Sequence, residues 1–84
     1  MKIREKIRSL HLEFAESRGI EATYCPSEVA RKLDPDNWMD KMNDVREVAD
    51  ILIQENKLEV MQKGNVLTES STQAKGPIRL RKTR

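Results

Sequence analysis

The chain has 84 residues, the length of one small domain, and 36% of them are charged while only 4% are aromatic. A domain of this size buries only about 60–65% of its unfolded surface, so its core must be small. One cysteine excludes an internal disulfide and a cysteine-based metal cage. The sequence shows neither a signal-peptide pattern nor eighteen consecutive apolar residues, so we predict a cytoplasmic protein that does not enter a membrane.

The net charge of +2 conceals a segregation of charge along the chain. Residues 1–8 carry four cations and one acid, and residues 75–84 carry five cations and no acid. Residues 34–55, between them, carry seven acids and two cations. Any basic surface must therefore come from the two ends of the chain.

Apolar residues at helical spacing predict a first amphipathic helix over residues 2–18: Ile3, Ile7, Leu10 and Phe14. Gly19 is typical of a residue that follows a helix end. His11 lies at the edge of the apolar stripe, and we interpret it as a half-buried packing residue. Residues 20–24 are long enough only for a short strand.

A second, short helix is predicted from Pro26 to Leu33, because proline suits the first helical position. Cys25 takes the cap position, and with no base indicated nearby we interpret it as structural. Asp34 and Pro35 end this helix, and Asp34 can cap the next turn.

Residues 35–56 are predicted to form the central helix. Its apolar residues share one face: Trp38, Met42, Val45, Val48, Ala49, Leu52 and Ile53. The stripe does not decide between one helix and two pieces, a short one with Trp38 and a long one starting near Asn43. We expect Trp38 to be buried, so that Trp38→Ala costs about 3–5 kcal/mol.

The opposite face of the central helix is acidic: Asp40, Asn43, Asp44, Glu47, Asp50 and Gln54. Three of these acids, Asp40, Asp44 and Glu47, could chelate a divalent ion weakly. Rows of surface carboxylates are usually just solvated, and we predict no metal site here.

After Asn56 the apolar period changes from helical to alternating, which indicates strands. Leu58 and Val60 face inward, a hairpin turn follows at residues 63–65, and a return strand begins at residues 66–68. Residues 69–76 are polar and predicted to be a flexible loop. Pro77 opens a last strand with Ile78 and Leu80 inward, and residues 82–84 are predicted to be a tail.

This order predicts one α+β domain over residues 1–84, a small winged-helix-like domain with three to four helices followed by a β-hairpin and a late strand. An α+β domain whose sheet serves only for packing would give the same pattern.

Several segments resemble an uncharacterised bacterial family of small winged-helix-like domains, a domain of unknown function. They are Cys25-Pro-Ser-Glu-Val-Ala-Arg31, Trp38 with Met42, Val45-Arg46, the turn at Gly64, and Gly76-Pro-Ile-Arg-Leu-Arg81. The resemblance implies a winged-helix fold and a bacterial source, but no activity or site residues. One departure is Asn43, which stands where the family tends to place a proline.

Two functional hypotheses remain open from the sequence. The first is weak, non-specific nucleic-acid binding through a basic wing, because the acidic central helix would repel phosphates. The cations that would follow a backbone or enter a minor groove are Lys63, Lys75, Arg79, Arg81 and Lys82, helped by Lys2, Arg4 and Lys6 if the ends meet. The second is a protein-interaction or self-association module, because an acidic spine with basic ends suits a charged partner.

Catalysis is not expected. The three glycines are isolated, so no phosphate-binding loop is present, and the single histidine and cysteine do not form a nucleophile–base pair by their spacing. We therefore predict no enzymatic activity, no cofactor and no small-molecule substrate.

Overall fold

The computed structural model describes residues 3–66 and 78–83. Its helices are α1 (Ile3–Arg18), α2 (Pro26–Leu33) and α3 (Met42–Gln54), with a 3-10 helix, Trp38–Lys41, leading into α3. Its strands are β1 (Leu58–Gln62), β2 (Asn65–Val66) and β3 (Arg79–Lys82). The chain is therefore the predicted small α+β domain, and the order of its elements is compatible with a winged-helix-like fold.

Helix α3 lies at the centre of the molecule, as predicted. Its residues Val45, Val48, Ala49 and Leu52 are buried, and the helix packs against α1, α2 and β1. The apolar stripe is broad enough to be covered from several sides, which is why a short chain can build one continuous core around it.

The start of α3 settles the choice between one helix and two pieces. The chain turns after Pro35, where the Asn37 N–H donates to Oδ1 of Asp34 at 3.2 Å, and α3 begins only at Met42. This break leaves Trp38 in the 3-10 helix, half-buried at the edge of the core. Trp38 therefore packs against the core but is only partly buried where the sequence predicted burial, so Trp38→Ala should cost less than about 3–5 kcal/mol.

The end of α3 explains the switch from helix to strand. Asn56 adopts a φ of 62°, and the Lys57 N–H reaches back to the Leu52 carbonyl at 2.9 Å. This is the hydrogen-bond pattern of a Schellman helix end, in which asparagine replaces the usual glycine. The chain leaves α3 directly into β1.

The sheet is antiparallel with strand order β2-β1-β3. Val60 faces Leu80 across the β1–β3 pair, and both are buried together with Leu58 and Ile78. Glu59 is partly exposed on the other face. The predicted alternation of inward and outward residues is confirmed in β1 and β3.

The turn between β1 and β2 contains two residues, Lys63 and Gly64, because Gln62 pairs with Asn65. Both turn residues have positive φ, 52° and 83°. That sign pattern belongs to a type I′ turn, which matches the twist of the flanking strands. The predicted continuation of the return strand beyond Val66 and the predicted loop at 69–76 lie outside the described residues.

The segment before α2 touches the sheet at one residue instead of forming a strand. The N–H and carbonyl of Tyr24 exchange hydrogen bonds of 2.8 and 2.7 Å with those of Leu80. Strand β3 therefore lies between Tyr24 and β1. It runs through Lys82, where the sequence predicted a tail, and the Thr83 N–H donates to the Lys57 carbonyl at 3.3 Å.

We expect Leu52→Ala to lower the free energy of unfolding by about 2–5 kcal/mol, because the Leu52 side chain is fully buried and its removal leaves a cavity. The matched control is Ile51→Ala, whose side chain is 42% exposed and which should cost less than about 1 kcal/mol. Urea unfolding followed by far-UV circular dichroism measures both. Equal costs would contradict the assigned face of α3.

Candidate functional site

The structure does not bring the predicted wing cations together. Lys63 is exposed in the β1–β2 turn, and Arg79 lies at the same end of the sheet, opposite Met61. Lys82 lies at the other end, opposite Leu58, and Arg81 stands between them on the outer face. Lys75 lies outside the described residues.

The three cations of β3 already have partners within the domain. Arg81 donates to the Glu59 carboxylate at 2.6 Å, and Lys82 contacts the Glu16 carboxylate of α1 at 2.6 Å. Arg79 donates to Oγ1 and the carbonyl of Thr23, at 3.0 and 3.2 Å. A phosphate group would compete with the ion pairs of Arg81 and Lys82, whereas the contacts of Arg79 are to neutral atoms of Thr23.

The N-terminal cations pair with the acidic helix instead of extending the wing. Arg4 forms an ion pair with Glu47 and approaches Asp44 at 3.8 Å. Arg8 pairs with Glu55 at 2.7 Å, just beyond the end of α3. Lys6 is exposed on α1, and Lys2 lies outside the described residues. The segregated charges of the sequence thus meet within the fold, where they join α1 to the α3 region.

A polar junction joins the end of α1, the start of α2 and β3. Arg18 donates to the Thr23 carbonyl at 3.0 Å and to the Glu28 carboxylate at 2.6 Å. Glu28 also accepts from the Cys25 N–H at 2.8 Å, as in a capping box. The hydrogen bond from Arg18 is the main cause that lowers the pKa of Glu28. Arg79 reaches Thr23 from β3, so two of the segments that carry the sequence resemblance, those with Glu28 and with Arg79, both contribute to this junction.

His11 is completely buried, not half-buried as the sequence suggested. Its Nδ1 lies 2.9 Å from the Tyr24 hydroxyl, and its Nε2 lies 2.9 Å from the Val45 carbonyl. A carbonyl can only accept, so Nε2 carries the proton and Nδ1 accepts from Tyr24. The imidazole is neutral in this arrangement, because burial lowers the pKa of His11 to about 4. Burial likewise raises the pKa of Tyr24.

This hydrogen-bonded pair has the character of a structural network and not of an acid–base site. Both side chains are shielded from solvent, and every buried polar side-chain atom in the described part of the chain has a partner. No local sequence pattern indicates this pairing, because His11 and Tyr24 are thirteen residues apart and belong to different elements.

A second feature missed from the sequence is a surface cleft of about 230 Å³ at the 3-10 helix. It is lined by Asp36, Asn37, Trp38, Met39 and Asp40. The Arg31 guanidinium of α2 lies over the Trp38 ring, 4.4 Å from its centroid, and the Met39 side chain is 72% exposed. The sequence signal for this cleft is the helix break at Asp34 and Pro35. A tryptophan that follows such a break does not continue the apolar stripe of the next helix.

The acids that the sequence considered as weak chelators do not form a metal site. Asp44 and Glu47 both lie near the Arg4 guanidinium. Among residues 3–66 and 78–83, no three histidine, cysteine or acidic side chains are grouped closely enough to hold a metal ion. No helix in these residues is long and apolar enough to cross a membrane.

The chain was compared with protein-family models. The model described as Protein of unknown function (DUF3253) matches residues 4–83. This confirms the resemblance to an uncharacterised domain family over nearly the whole chain. No curated protein matches the sequence.

We expect the stability of the domain to fall as His11 becomes protonated. The native pKa is about 4 and the ordinary value is 6.5, so unfolding takes up a proton. The stabilisation is complete above pH 6.5 and is lost as the pH falls toward 4. Between pH 7.5 and pH 5 the free energy of unfolding should drop by about 2 kcal/mol.

Urea unfolding at several pH values measures this drop. The control is His11→Gln, which keeps an amide donor for the Val45 carbonyl but does not titrate. This variant should be less stable at pH 7.5 and nearly independent of pH down to 5. The same pH dependence in both proteins would show that His11 is not its source.

Proposed function

We propose that this chain, which belongs to the family described as Protein of unknown function (DUF3253), is a non-catalytic protein-interaction module. The observation that carries the proposal is the surface formed on the 3-10 helix by the exposed Met39 and the half-buried Trp38, flanked by Arg31. Tryptophan, methionine and arginine are enriched in protein interfaces, where a few such residues supply most of the binding energy.

The exposure of Met39 supports this choice of surface. At 72%, it is the most exposed of the large apolar side chains in the described part of the chain. The others that are exposed, such as Ile51 and Val66, are not adjacent to an aromatic ring with a cation stacked on it. Single exposed apolar residues are ordinary, but an indole, a thioether and a guanidinium side by side form a compact contact surface.

The pairing of the basic residues supports an interaction module over nucleic-acid binding. Arg79, Arg81 and Lys82 each have a partner within the domain, and Arg4 and Arg8 pair with acids of the α3 region. Affinity for nucleic acid depends mainly on cations that can replace counterions along the phosphate backbone. Among the wing cations that the structure describes, Arg81 and Lys82 could take that role only by giving up an internal ion pair.

Binding by the wing is the alternative, and Lys63 favours it, because this cation is exposed at the tip of the hairpin. On our proposal, generic duplex DNA gives no mobility shift at low salt. A wing mode would instead give micromolar or weaker binding that falls steeply with salt. The double variant Arg79→Glu/Arg81→Glu would abolish it, whereas Glu47→Ala would not. A shift with this pattern, in variants shown to be folded, would replace the proposal with nucleic-acid binding.

We expect a photo-reactive amino acid at position 39 to cross-link one discrete partner protein in the cells that make this chain. The matched control carries the same amino acid at position 66, because Val66 is also exposed, at 52%, but lies on the sheet. Denaturing gels and mass spectrometry identify the adduct. Excess unlabelled protein should prevent its formation, and excess Met39→Glu protein should not.

Absence of an adduct specific to position 39 would contradict the proposed surface. Equal adducts at positions 39 and 66 would do so as well, because they would indicate random collision. Circular dichroism on both labelled proteins verifies that they are folded.

A further inference from the structure

The cleft beside Trp38 differs chemically from an ordinary apolar contact surface. Its lining residues include two apolar ones, Trp38 and Met39, and two acidic ones, Asp36 and Asp40. We infer that this cleft binds a lysine or arginine side chain of a partner protein, presented on a basic segment with apolar neighbours. The inference rests on the proposed function and specifies its partner.

The size of the cleft limits what it can hold. Pockets for cofactors and small molecules have volumes of about 300–1,000 Å³. The cleft, at about 230 Å³, lies below that range. It is open to the surface and is formed by consecutive residues of one turn, so it suits one long side chain of a docked polypeptide.

The charge of the cleft favours a cation. Asp34, just before this turn, is paired with Lys41 at 3.5 Å, whereas the carboxylates of Asp36 and Asp40 have no ion-pair partner within residues 3–66 and 78–83. Within the described residues, Arg31 is the cation that lies over the indole, and its single positive charge faces the two negative charges of Asp36 and Asp40. An incoming cationic side chain would be attracted electrostatically, and charge complementarity of this kind selects partners.

The apolar lining favours a long cationic side chain over a metal ion. Lysine and arginine place an aliphatic stem against apolar surface while the charged head stays in a polar environment. Met39 and the part of Trp38 that lines the cleft provide that surface for the aliphatic stem, while the face of the indole is already in contact with Arg31. A divalent ion would gain only two carboxylates, and the described residues contain no group of three metal-binding side chains.

A second copy of this chain fits the cleft less well than another protein. The β3 cations Arg79, Arg81 and Lys82 are engaged within their own domain. The exposed Lys63 stands in a two-residue turn between Gln62 and Asn65, without the apolar neighbours that the segment requires. We therefore assign the cationic segment to a different protein.

Trp38 is the only tryptophan of the chain, so its fluorescence reports on the cleft directly. The probe is the peptide acetyl-Lys-Leu-Arg-Leu-Lys-amide, and its control is the same peptide with glutamate at the three charged positions. We expect the basic peptide to change the fluorescence saturably and the acidic peptide to have no effect. The double variant Asp36→Asn/Asp40→Asn should raise the Kd of the basic peptide about tenfold.

The control variant is Glu5→Gln/Glu21→Gln, which changes the net charge equally at exposed positions outside the cleft. It should bind the basic peptide as well as the parent protein does. Equal weakening by both double variants, or no saturable change, would overturn the cationic assignment. If the cross-link at position 39 forms nonetheless, the proposed interaction module is retained and only the assignment of a cationic partner segment is rejected.

Sedimentation equilibrium without peptide tests whether a second copy of the chain occupies the cleft instead. We expect a monomer across the accessible concentrations. Concentration-dependent assembly that Asp36→Asn/Asp40→Asn abolishes would show that a second copy fills the cleft, and would overturn the assignment to a different protein.

Discussion

The fold depends on a buried hydrogen-bond network centred on Tyr24, which links the helices to the sheet. The backbone of Tyr24 pairs with Leu80 in β3, while its hydroxyl binds His11 of α1, which in turn binds the Val45 carbonyl of α3. These contacts are buried, and a buried polar group without a partner would cost on the order of 1–3 kcal/mol. Loss of one member therefore leaves the others unpaired, so α1, α3 and β3 are held in one arrangement by a network that must be complete.

Electrostatics acts in this domain mainly within the chain. The sequence segregates basic ends from an acidic middle, and folding brings them together: Arg4 and Arg8 meet acids of the α3 region, while Lys82 reaches Glu16 of α1. Each exposed pair contributes little, on the order of 0–1 kcal/mol. Together these ion pairs orient α1, because its basic first turns pack favourably against an acidic neighbour. A charge pattern that looks like a binding signal in the sequence can thus belong to the assembly of the fold.

Much of the architecture could be predicted because periodicity reports burial directly. The central helix, the alternation of β1 and β3, and the turn at Gly64 all followed from local spacing. The depth of His11 and the displacement of Trp38 could not, because both depend on contacts between distant segments. The cleft at Trp38 depends on a helix break of a few residues, which the continuous apolar stripe of the sequence conceals. The pairing of the wing cations depends on Thr23, Glu59 and Glu16, and no local sequence pattern connects these three residues to the cations.

The position of β3 has a consequence for how the domain is made. Ile78 and Leu80 are buried in the core, and Leu80 completes both sides of its strand, with β1 and with Tyr24. A nascent chain on the ribosome therefore exposes the apolar faces of three finished helices until this late strand emerges. Contacts of such long sequence separation slow folding. Until β3 is synthesised, the incomplete domain therefore depends on its high surface charge, or on a chaperone, to avoid aggregation.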